Sequence, residues 1–224
     1  MIYHICVNIL HEGIRLICKL TGYHGTTKEN AKIIIESNKF LKSNSEEDWL
    51  GPGIYFYNNI ENAYEYNMRN YNYPNIDYDK FINETSILKV DIHCDEKNIL
   101  NLNNFEDKFR FILFYELIKD YIKNNERYKE SNFQDGIILK YLLEKTDLMS
   151  GCQIITNVFS RSFKKADKKI KSRFAYEIKQ LYINVIDEKC IYNIEKVNTS
   201  NNRLFNMINE IYYNIEKEEN KDEI

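Results

Sequence analysis

Residues 21–40 read TGYHGTTKENAKIIIESNKF, and this stretch predicts how the fold begins. The aromatic and apolar residues before the histidine are typical of a strand, and the glycine after it marks a turn. Thr27 precedes apolar residues at helical spacing, so its hydroxyl is predicted to cap a helix that Asn38 ends. A lone histidine, His24, therefore lies where a strand gives way to a helix.

Downstream, strand and helix patterns follow one another in no regular alternation. A loop that closes with Gly-Pro-Gly at 51–53 precedes the β-rich run IYFYNN and then a helix pattern. The strongest helical periodicity covers 104–126, and 135–148 predicts a second helix. Strands at both ends with helices between them predict an α+β fold. Strands are predicted at 20–23, 54–59, 86–94, 152–160 and 175–186, a polar loop at 70–84 and a last helix after 199.

Length and composition predict one domain. The chain has 224 residues, 43% of them hydrophobic, which is enough for one sizeable core. We predict an N-terminal extension at 1–19, a domain at 20–198 and a C-terminal helix or tail at 199–224. The formal charge of -3 argues against a protein that coats nucleic acid. For the basic stretch at 160–173, a solvated loop or helix face is favoured over a nucleic-acid patch.

The cysteines and the N-terminal residues indicate the cellular compartment in which we expect the protein. The five cysteines have no C-x-x-C pair and no regular spacing, so neither a disulfide framework nor a metal site is predicted. The first twenty residues are interrupted by polar and charged side chains and lack the features of a signal peptide or a membrane span. We expect reduced thiols in a cytoplasmic protein that has no membrane partner.

Three ring side chains are candidates for ligand contact. His24 can present a ring nitrogen at a strand end, and the bare backbone of Gly25 lets a planar ligand approach. Tyr55 follows the Gly-Pro-Gly turn, and Tyr66 lies eleven residues later on the predicted helix. Two such rings can sandwich a flat ligand or belong to an aromatic core. For each residue taken alone, the structural interpretation is favoured.

The two motifs in this order resemble the NAD-binding core of the diphtheria-toxin-type ADP-ribosyltransferases, which include the poly(ADP-ribose) polymerases. The similarity is closest over residues 20–66 and follows the order of elements to about residue 197. It implies a split antiparallel β-sandwich with flanking helices and NAD as co-substrate, without a metal. The implied activity is mono-ADP-ribosyl transfer, in which nicotinamide is released and ADP-ribose passes to RNA, DNA, protein or water.

The resemblance also implies roles for individual residues. His24 would hydrogen-bond a ribose hydroxyl, and the Gly25 backbone would pair with the nicotinamide carboxamide. Tyr55 would occupy the signature tyrosine position, and Tyr66 would stack on the nicotinamide ring. Beside them, Tyr23 and Thr26 would border the NAD pocket, and Ala63 stands where the family often has a carboxamide-binding serine.

The third signature position departs from the family, which has a catalytic glutamate there. We align Gln180 to it, and glutamine supplies no net charge to an oxocarbenium-like transition state. Glu177 is the nearest carboxylate, but an offset of three residues along a strand reverses the face. Three explanations stay open: Glu177 is catalytic, Gln180 suffices with help from substrate or another acid, or NAD binds without efficient turnover.

The implied biological role is a bacterial toxin or defence effector, with an antitoxin protein as a possible partner. The loops at 41–53 and 161–172 are where we expect the acceptor to bind. A second hypothesis is a catalytically weak module that binds NAD or ADP-ribose. A third is an unrelated α+β interaction protein whose aromatic residues form only the core.

Overall fold

The computed structural model describes residues 4–10, 13–45, 48–71, 78–124, 134–162 and 177–198. Eight strands and five α-helices occur in these ranges. The strands are β1 His4–Leu10, β2 Gly13–Thr27, β3 Ile54–Tyr57, β4 Thr85–Asp95, β5 Ile99–Asn101, β6 Ile154–Ser162, β7 Glu177–Val185 and β8 Ile191–Lys196. The helices are α1 Lys28–Ser37, α2 Ile60–Asn70, α3 Tyr78–Glu84, α4 Phe105–Asn124 and α5 Gln134–Lys145.

The strands form one mixed sheet with an order that differs from the chain order. The order is β5-β6-β7-β3-β2-β4-β8, and β1 pairs with β2 as a hairpin arm. All pairings are antiparallel except that of β5 with β6. Helices and a mostly antiparallel sheet in no regular alternation confirm the predicted α+β class.

The sheet consists of two well-paired halves that meet at one point. In one half, β2 and β4 pair from Ile17 opposite Asp95 to Thr27 opposite Thr85. In the other, β7 pairs with both β3 and β6. Between the halves, β2 and β3 share a single residue pair, Tyr23 with Tyr57. The backbone ladder is therefore interrupted in the middle of the sheet.

Hydrophobic cores cover both faces of the sheet. Side chains alternate between the faces of a strand, so neighbouring residues of β3 enter different cores. Tyr57 belongs to the core beneath α2, α4 and α5, whereas Phe56 belongs to the core beneath α1. Phe56 is fully buried, and Gly22 lies so close to it that an added Cβ would be 2.9 Å from the Cβ of Phe56. The sheet is thus fixed from both sides around the junction.

The predicted boundaries of α1 are confirmed. Thr27 is its N-cap, and its hydroxyl accepts a hydrogen bond of 3.1 Å from the backbone N–H of Asn30. Asn38 ends the helix in the left-handed conformation, with φ of 52°. This conformation is tolerated by asparagine better than by most residues. The last residue of β2, Thr27, is thus also the N-cap of α1, and the helix begins at the next residue.

Other predicted elements differ from the structure in extent. β2 begins at Gly13, not at residue 20, so the predicted boundary between extension and domain lies inside a continuous strand. The predicted polar loop at 70–84 contains α3, whose Phe81 is fully buried. Phe81 packs edge to face against Tyr64 and Tyr71, a contact that the polar composition of the segment does not reveal. The tail at 199–224 and most of the basic stretch at 160–173 lie outside the described residues.

The predicted helix at 104–126 exists as α4, but its periodic apolar residues do not face the core. Ile118 and Ile122 are buried in the core, and Phe111, Phe114 and Tyr115 pack against it as partly buried residues. Periodicity shows that a helix has an apolar face. It does not show which side of the helix packs against the sheet. The exposed large side chains of α4 are Phe105, Phe109, Ile112, Leu113, Leu117 and Tyr121.

The Gly-Pro-Gly turn is attached to the sheet by one asparagine. Asn184 of β7 is fully buried, and its Nδ2 donates to the carbonyls of Leu50 at 2.7 Å, Gly51 at 3.1 Å and Pro52 at 3.3 Å. Gly51 has φ of 72°, and an added Cβ on Gly53 would lie 1.9 Å from Asn184 Oδ1. The turn needs glycine at both places and a donor at 184.

We predict that Asn184→Ala destabilises the protein by about 1–3 kcal/mol, because three turn carbonyls lose their buried donor. The measurement is the free energy of unfolding from urea denaturation. Asn58→Ala, at an exposed asparagine of the same sheet half, is the control and should change it by less than about 0.5 kcal/mol. Equal effects of the two substitutions would contradict the role of Asn184.

Candidate functional site

A cavity of about 280 Å³ lies beside the junction of the two sheet halves. This volume is near the lower end of small-molecule pockets, which measure roughly 300–1,000 Å³. Strands β2, β3 and β7, helix α2 and the segment between α1 and β3 all contribute to its wall. The lining residues are His24, Gly25, Leu41, Ser43, Asp48, Trp49, Gly53, Ile54, Tyr55, Tyr57, Tyr66, Arg69 and Tyr182.

His24 is held in one orientation on the cavity wall. Its Nδ1–H donates a hydrogen bond of 2.9 Å to the backbone carbonyl of Tyr55. Its ring meets Phe40 and Phe56 edge to face, at centroid distances of 5.3 and 5.8 Å. Burial lowers the pKa of His24, and the hydrogen bond to the Tyr55 carbonyl only partly opposes this. The ring is therefore neutral near pH 7, which leaves Nε2 as an unprotonated acceptor.

Gly25 allows α2 to approach β2 closely. An added Cβ would lie 2.4 Å from the carbonyl oxygen of Ala63 and 2.6 Å from Asn67 Oδ1. Asn67 is buried, and its Nδ2 donates to the carbonyl of Ser86 on β4 at 3.0 Å. Ala63 is fully buried and is not part of the cavity wall. The small residue at 63 is thus explained by helix-to-strand packing.

Tyr55 and Tyr66 both reach the cavity, but in different ways. The Tyr55 hydroxyl donates to the Gly51 carbonyl at 2.6 Å and accepts from the Leu50 N–H at 2.9 Å. Burial raises the pKa of Tyr55, so its hydroxyl stays protonated. The Tyr66 side chain is 39% exposed, and its ring centroid is 6.1 Å from that of Tyr57. Tyr55 therefore offers a fixed ring, whereas Tyr66 offers an accessible one.

Gln180 is fully buried and does not line the cavity. Its Nε2 donates to Glu65 Oε2 at 2.7 Å and to Asn62 Oδ1 at 3.2 Å, and its Oε1 accepts from the Tyr182 hydroxyl at 3.0 Å. Tyr182 does line the cavity. Gln180 is thus one hydrogen bond removed from the cavity wall. Glu177 is the first residue of β7, and its side chain is outside the described part.

Of the predicted site residues, the structure brings His24, Gly25, Tyr55 and Tyr66 to one cavity. Tyr23 and Thr26 are not among its lining residues. Tyr23 packs against the core under α2, as expected for a residue opposite Tyr57 on the same face.

Four lining residues were neither predicted individually nor part of the predicted acceptor loop at 41–53: Ile54, Tyr57, Arg69 and Tyr182. Two of them carried a local signal: Tyr57 lies two residues after Tyr55 on the strand, and Arg69 lies one turn after Tyr66 on the helix. No local sequence pattern pointed to Tyr182. It reaches the cavity because the pairing of β3 with β7 places it opposite Tyr57. Trp49 belongs to the predicted acceptor loop, and its ring centroid lies 5.8 Å from that of Tyr182.

Arg69, on the cavity wall, and Glu65, behind it, form a charge pair. Arg69 Nε lies 3.9 Å from Glu65 Oε1, one helical turn away. Arg69 Nε and Nη2 are buried and donate no hydrogen bond to the described residues. A carboxylate and a guanidinium so close attract each other more strongly than in water, because both are partly buried. Glu65 was not predicted as a site residue. Its second carboxylate oxygen accepts the hydrogen bond from Gln180, so Glu65 connects Arg69 with Gln180.

The loop predicted to contact an acceptor lies at the cavity. Within 41–53, Leu41, Ser43, Asp48 and Trp49 line the wall. The Asp48 carboxylate is held in place because it accepts from the Ser43 hydroxyl at 2.6 and 2.7 Å. The second predicted contact loop, 161–172, falls largely outside the described residues.

Within the described ranges, no cluster of three or more His, Cys, Asp or Glu side chains is suited to a metal ion. Among the described helices, none has the length and apolar character needed to cross a membrane.

Comparison with known proteins gives one relative and no family. An uncharacterized protein of Methanocaldococcus jannaschii is 28% identical over 130 residues, which are 58% of this chain. The match spans 59% of that relative's length. No family model and no solved structure matches the chain. We therefore infer function from the residues around the cavity.

We predict that His24 contributes to acid destabilisation. A histidine whose folded-state pKa is lowered takes up protons more readily when unfolded, so stability falls as the pH drops below about 6.5. The free energy of unfolding between about pH 7.5 and 5 should therefore fall less steeply in His24→Asn than in the parent. An NMR titration in which the His24 ring protonates at or above pH 6.5 would contradict this prediction.

Proposed function

We propose that the protein is an NAD-dependent mono-ADP-ribosyltransferase that transfers ADP-ribose to a macromolecule. The observation that carries the proposal is that His24, Gly25, Tyr55 and Tyr66, from two separate sequence motifs, meet at one cavity. The interrupted sheet adds support, since the single pair of Tyr23 with Tyr57 is consistent with the split sandwich that the resemblance implies. The cytoplasmic toxin or defence role rests on the resemblance alone.

The cavity walls suit a flat, weakly polar ring. Tyr66 is accessible and Tyr55 is rigid, so a pyridine ring can lie between aromatic faces. Gly25 lines the cavity and has no side chain. A ligand can therefore come close enough for its carboxamide to pair with the backbone N–H and C=O of Gly25. The family's serine contact is absent at Ala63, which is buried. Arg69 lines the cavity, and its guanidinium carries N–H donors of the kind that would take the place of that serine.

The reaction breaks the bond between the nicotinamide nitrogen and the ribose carbon. The electron pair leaves with the nitrogen, whose positive charge is neutralised, and the ribose carbon becomes electron-deficient. An acceptor nucleophile then bonds to that carbon and loses a proton. His24 Nε2 is set to accept a ribose hydroxyl hydrogen because its Nδ1–H is occupied by Tyr55. The aromatic clamp holds the leaving group while the bond lengthens.

A second hypothesis, a catalytically weak NAD-binding or ADP-ribose-binding module, is favoured by one observation. Gln180 is neutral, fully buried and engaged by three partners, so it brings no charge of its own to the ribose. Such a protein would bind the dinucleotide with little turnover. Binding and nicotinamide release therefore have to be measured separately.

We predict that NAD stabilises the protein and that nicotinamide is released. Ligand at about a hundred times its dissociation constant should raise the free energy of unfolding by about 2.7 kcal/mol. Thermal unfolding with and without NAD, and chromatography of nicotinamide, are the two measurements. Stabilisation without release would favour the binding module, and neither effect would favour an interaction protein without NAD chemistry.

We predict that Tyr66→Ala weakens NAD binding about tenfold or more, because ring stacking contributes roughly 1–3 kcal/mol. Tyr66→Phe keeps the ring and should bind NAD like the parent. Tyr192→Ala, which removes an exposed tyrosine that stacks on His93, is the matched control. If both Tyr66 variants bound equally, the stacking role would be wrong.

A further inference from the structure

We propose that Glu65 supplies the negative charge that Gln180 lacks, and that a hydrogen-bond relay from Glu65 through Gln180 and Tyr182 to Tyr57 delivers it to the cavity. The inference deepens the proposed function and rests on it. Glu65 and Gln180 are positioning residues in this account, since neither lines the cavity. Tyr57 and Tyr182 do line it.

The carboxylate of Glu65 fixes the direction of the relay. A carboxylate only accepts hydrogen bonds, so the amide nitrogen of Gln180 must face Glu65 Oε2, at 2.7 Å. The amide oxygen then faces the Tyr182 hydroxyl, which has to donate, at 3.0 Å. The last link of the proposed relay is a hydrogen bond between the hydroxyls of Tyr182 and Tyr57, whose ring centroids lie 4.9 Å apart. Because the Tyr182 hydrogen is already used, Tyr57 is the donor in that link.

This direction leaves the Tyr57 oxygen as an acceptor at the cavity. Its hydrogen points into the relay, and its lone pairs are available to a ligand hydroxyl. Each donor in the chain is polarised by the charge at its end, so hydrogen bonds in a row strengthen one another. The Tyr57 ring lies 6.1 Å from Tyr66, where the pyridine ring would stack. The relay therefore directs negative potential to the part of the cavity beside the proposed nicotinamide site.

Packing keeps the relay in place. Tyr57, Tyr182 and Gln180 are buried, and the two tyrosine rings lie 4.9 Å apart on paired positions of β3 and β7. Asn62 Oδ1 takes the other hydrogen of the Gln180 amide, at 3.2 Å. The amide consequently has both N–H groups and one oxygen lone pair engaged, and it cannot turn over without breaking three hydrogen bonds.

The test exchanges the charge between two isosteric positions. In Glu65→Gln the relay ends on a neutral amide, and we expect the rate of nicotinamide release at saturating NAD to fall about tenfold or more, with NAD binding unchanged. Glu61→Gln removes the same charge one turn earlier on α2 and is the control. The double variant Glu65→Gln/Gln180→Glu restores the carboxylate at the other end of the pair, and should recover most of the lost rate.

The single variant Gln180→Glu probes the contact itself without NAD. Two facing carboxylates share one proton, which raises the pKa of the pair. A carboxyl group whose pKa is higher in the folded than in the unfolded protein contributes less to the free energy of unfolding as the pH rises through its folded-state pKa. The free energy of unfolding of Gln180→Glu should therefore fall relative to that of the parent between about pH 5 and 8. The double variant has one carboxylate and should show no such loss. Thermal unfolding at several pH values measures this.

The possible outcomes distinguish a failure of the relay from a failure of the proposed transferase function. Parental release rates in Glu65→Gln, or no recovery in the double variant, would overturn the relay while the transferase function stands. A pH-independent Gln180→Glu would overturn the contact on which the relay depends. A parent protein that neither binds NAD nor releases nicotinamide would overturn the proposed function and the relay together, even with the pH effect present.

Discussion

The single residue pair between β2 and β3 is the constraint on which the rest of the site depends. On each side of it the strands are held by long antiparallel ladders, and at the junction only Tyr23 and Tyr57 face each other. A continuous ladder would place β3 beside β2 along its length and fill the space between them. Because the ladder is interrupted, His24 can donate to the backbone carbonyl of Tyr55 across the gap. The cavity forms beside this contact.

Two close approaches hold the walls of this gap. At Gly25, the backbone of α2 comes so near β2 that no side chain fits, which brings Tyr66 and Arg69 to the cavity. At Gly53, the turn lies against Asn184, and the same turn accepts and donates hydrogen bonds with the Tyr55 hydroxyl. The rings of His24 and Tyr55 are therefore oriented by backbone contacts before any ligand arrives, which reduces the ordering cost of binding.

The polar side of the site is organised around one carboxylate. Glu65 accepts a hydrogen bond from Gln180 on one side and lies 3.9 Å from Arg69 on the other, and in the proposed relay its charge acts through Gln180. A neutral residue at 180 is compatible with charge stabilisation when a carboxylate stands directly behind it. In the proposed relay the charged group is largely buried, and a tyrosine oxygen is the group that meets the ligand. This arrangement has a stability cost only if the relay is left incomplete.

The sequence by itself determined the local features: the α+β class, the cap and end of α1, the strand of Ile54–Tyr57 and the helix that carries Tyr66. These follow from capping, turn chemistry and periodicity, which act over a few residues. Only the tertiary structure decided that β2 continues back to Gly13, that α4 turns its periodic apolar face outward, and that Tyr182 and Glu65 join the site. Strand register and helix docking depend on contacts between residues more than a hundred positions apart, such as Gln180 with Glu65, and no local pattern encodes them.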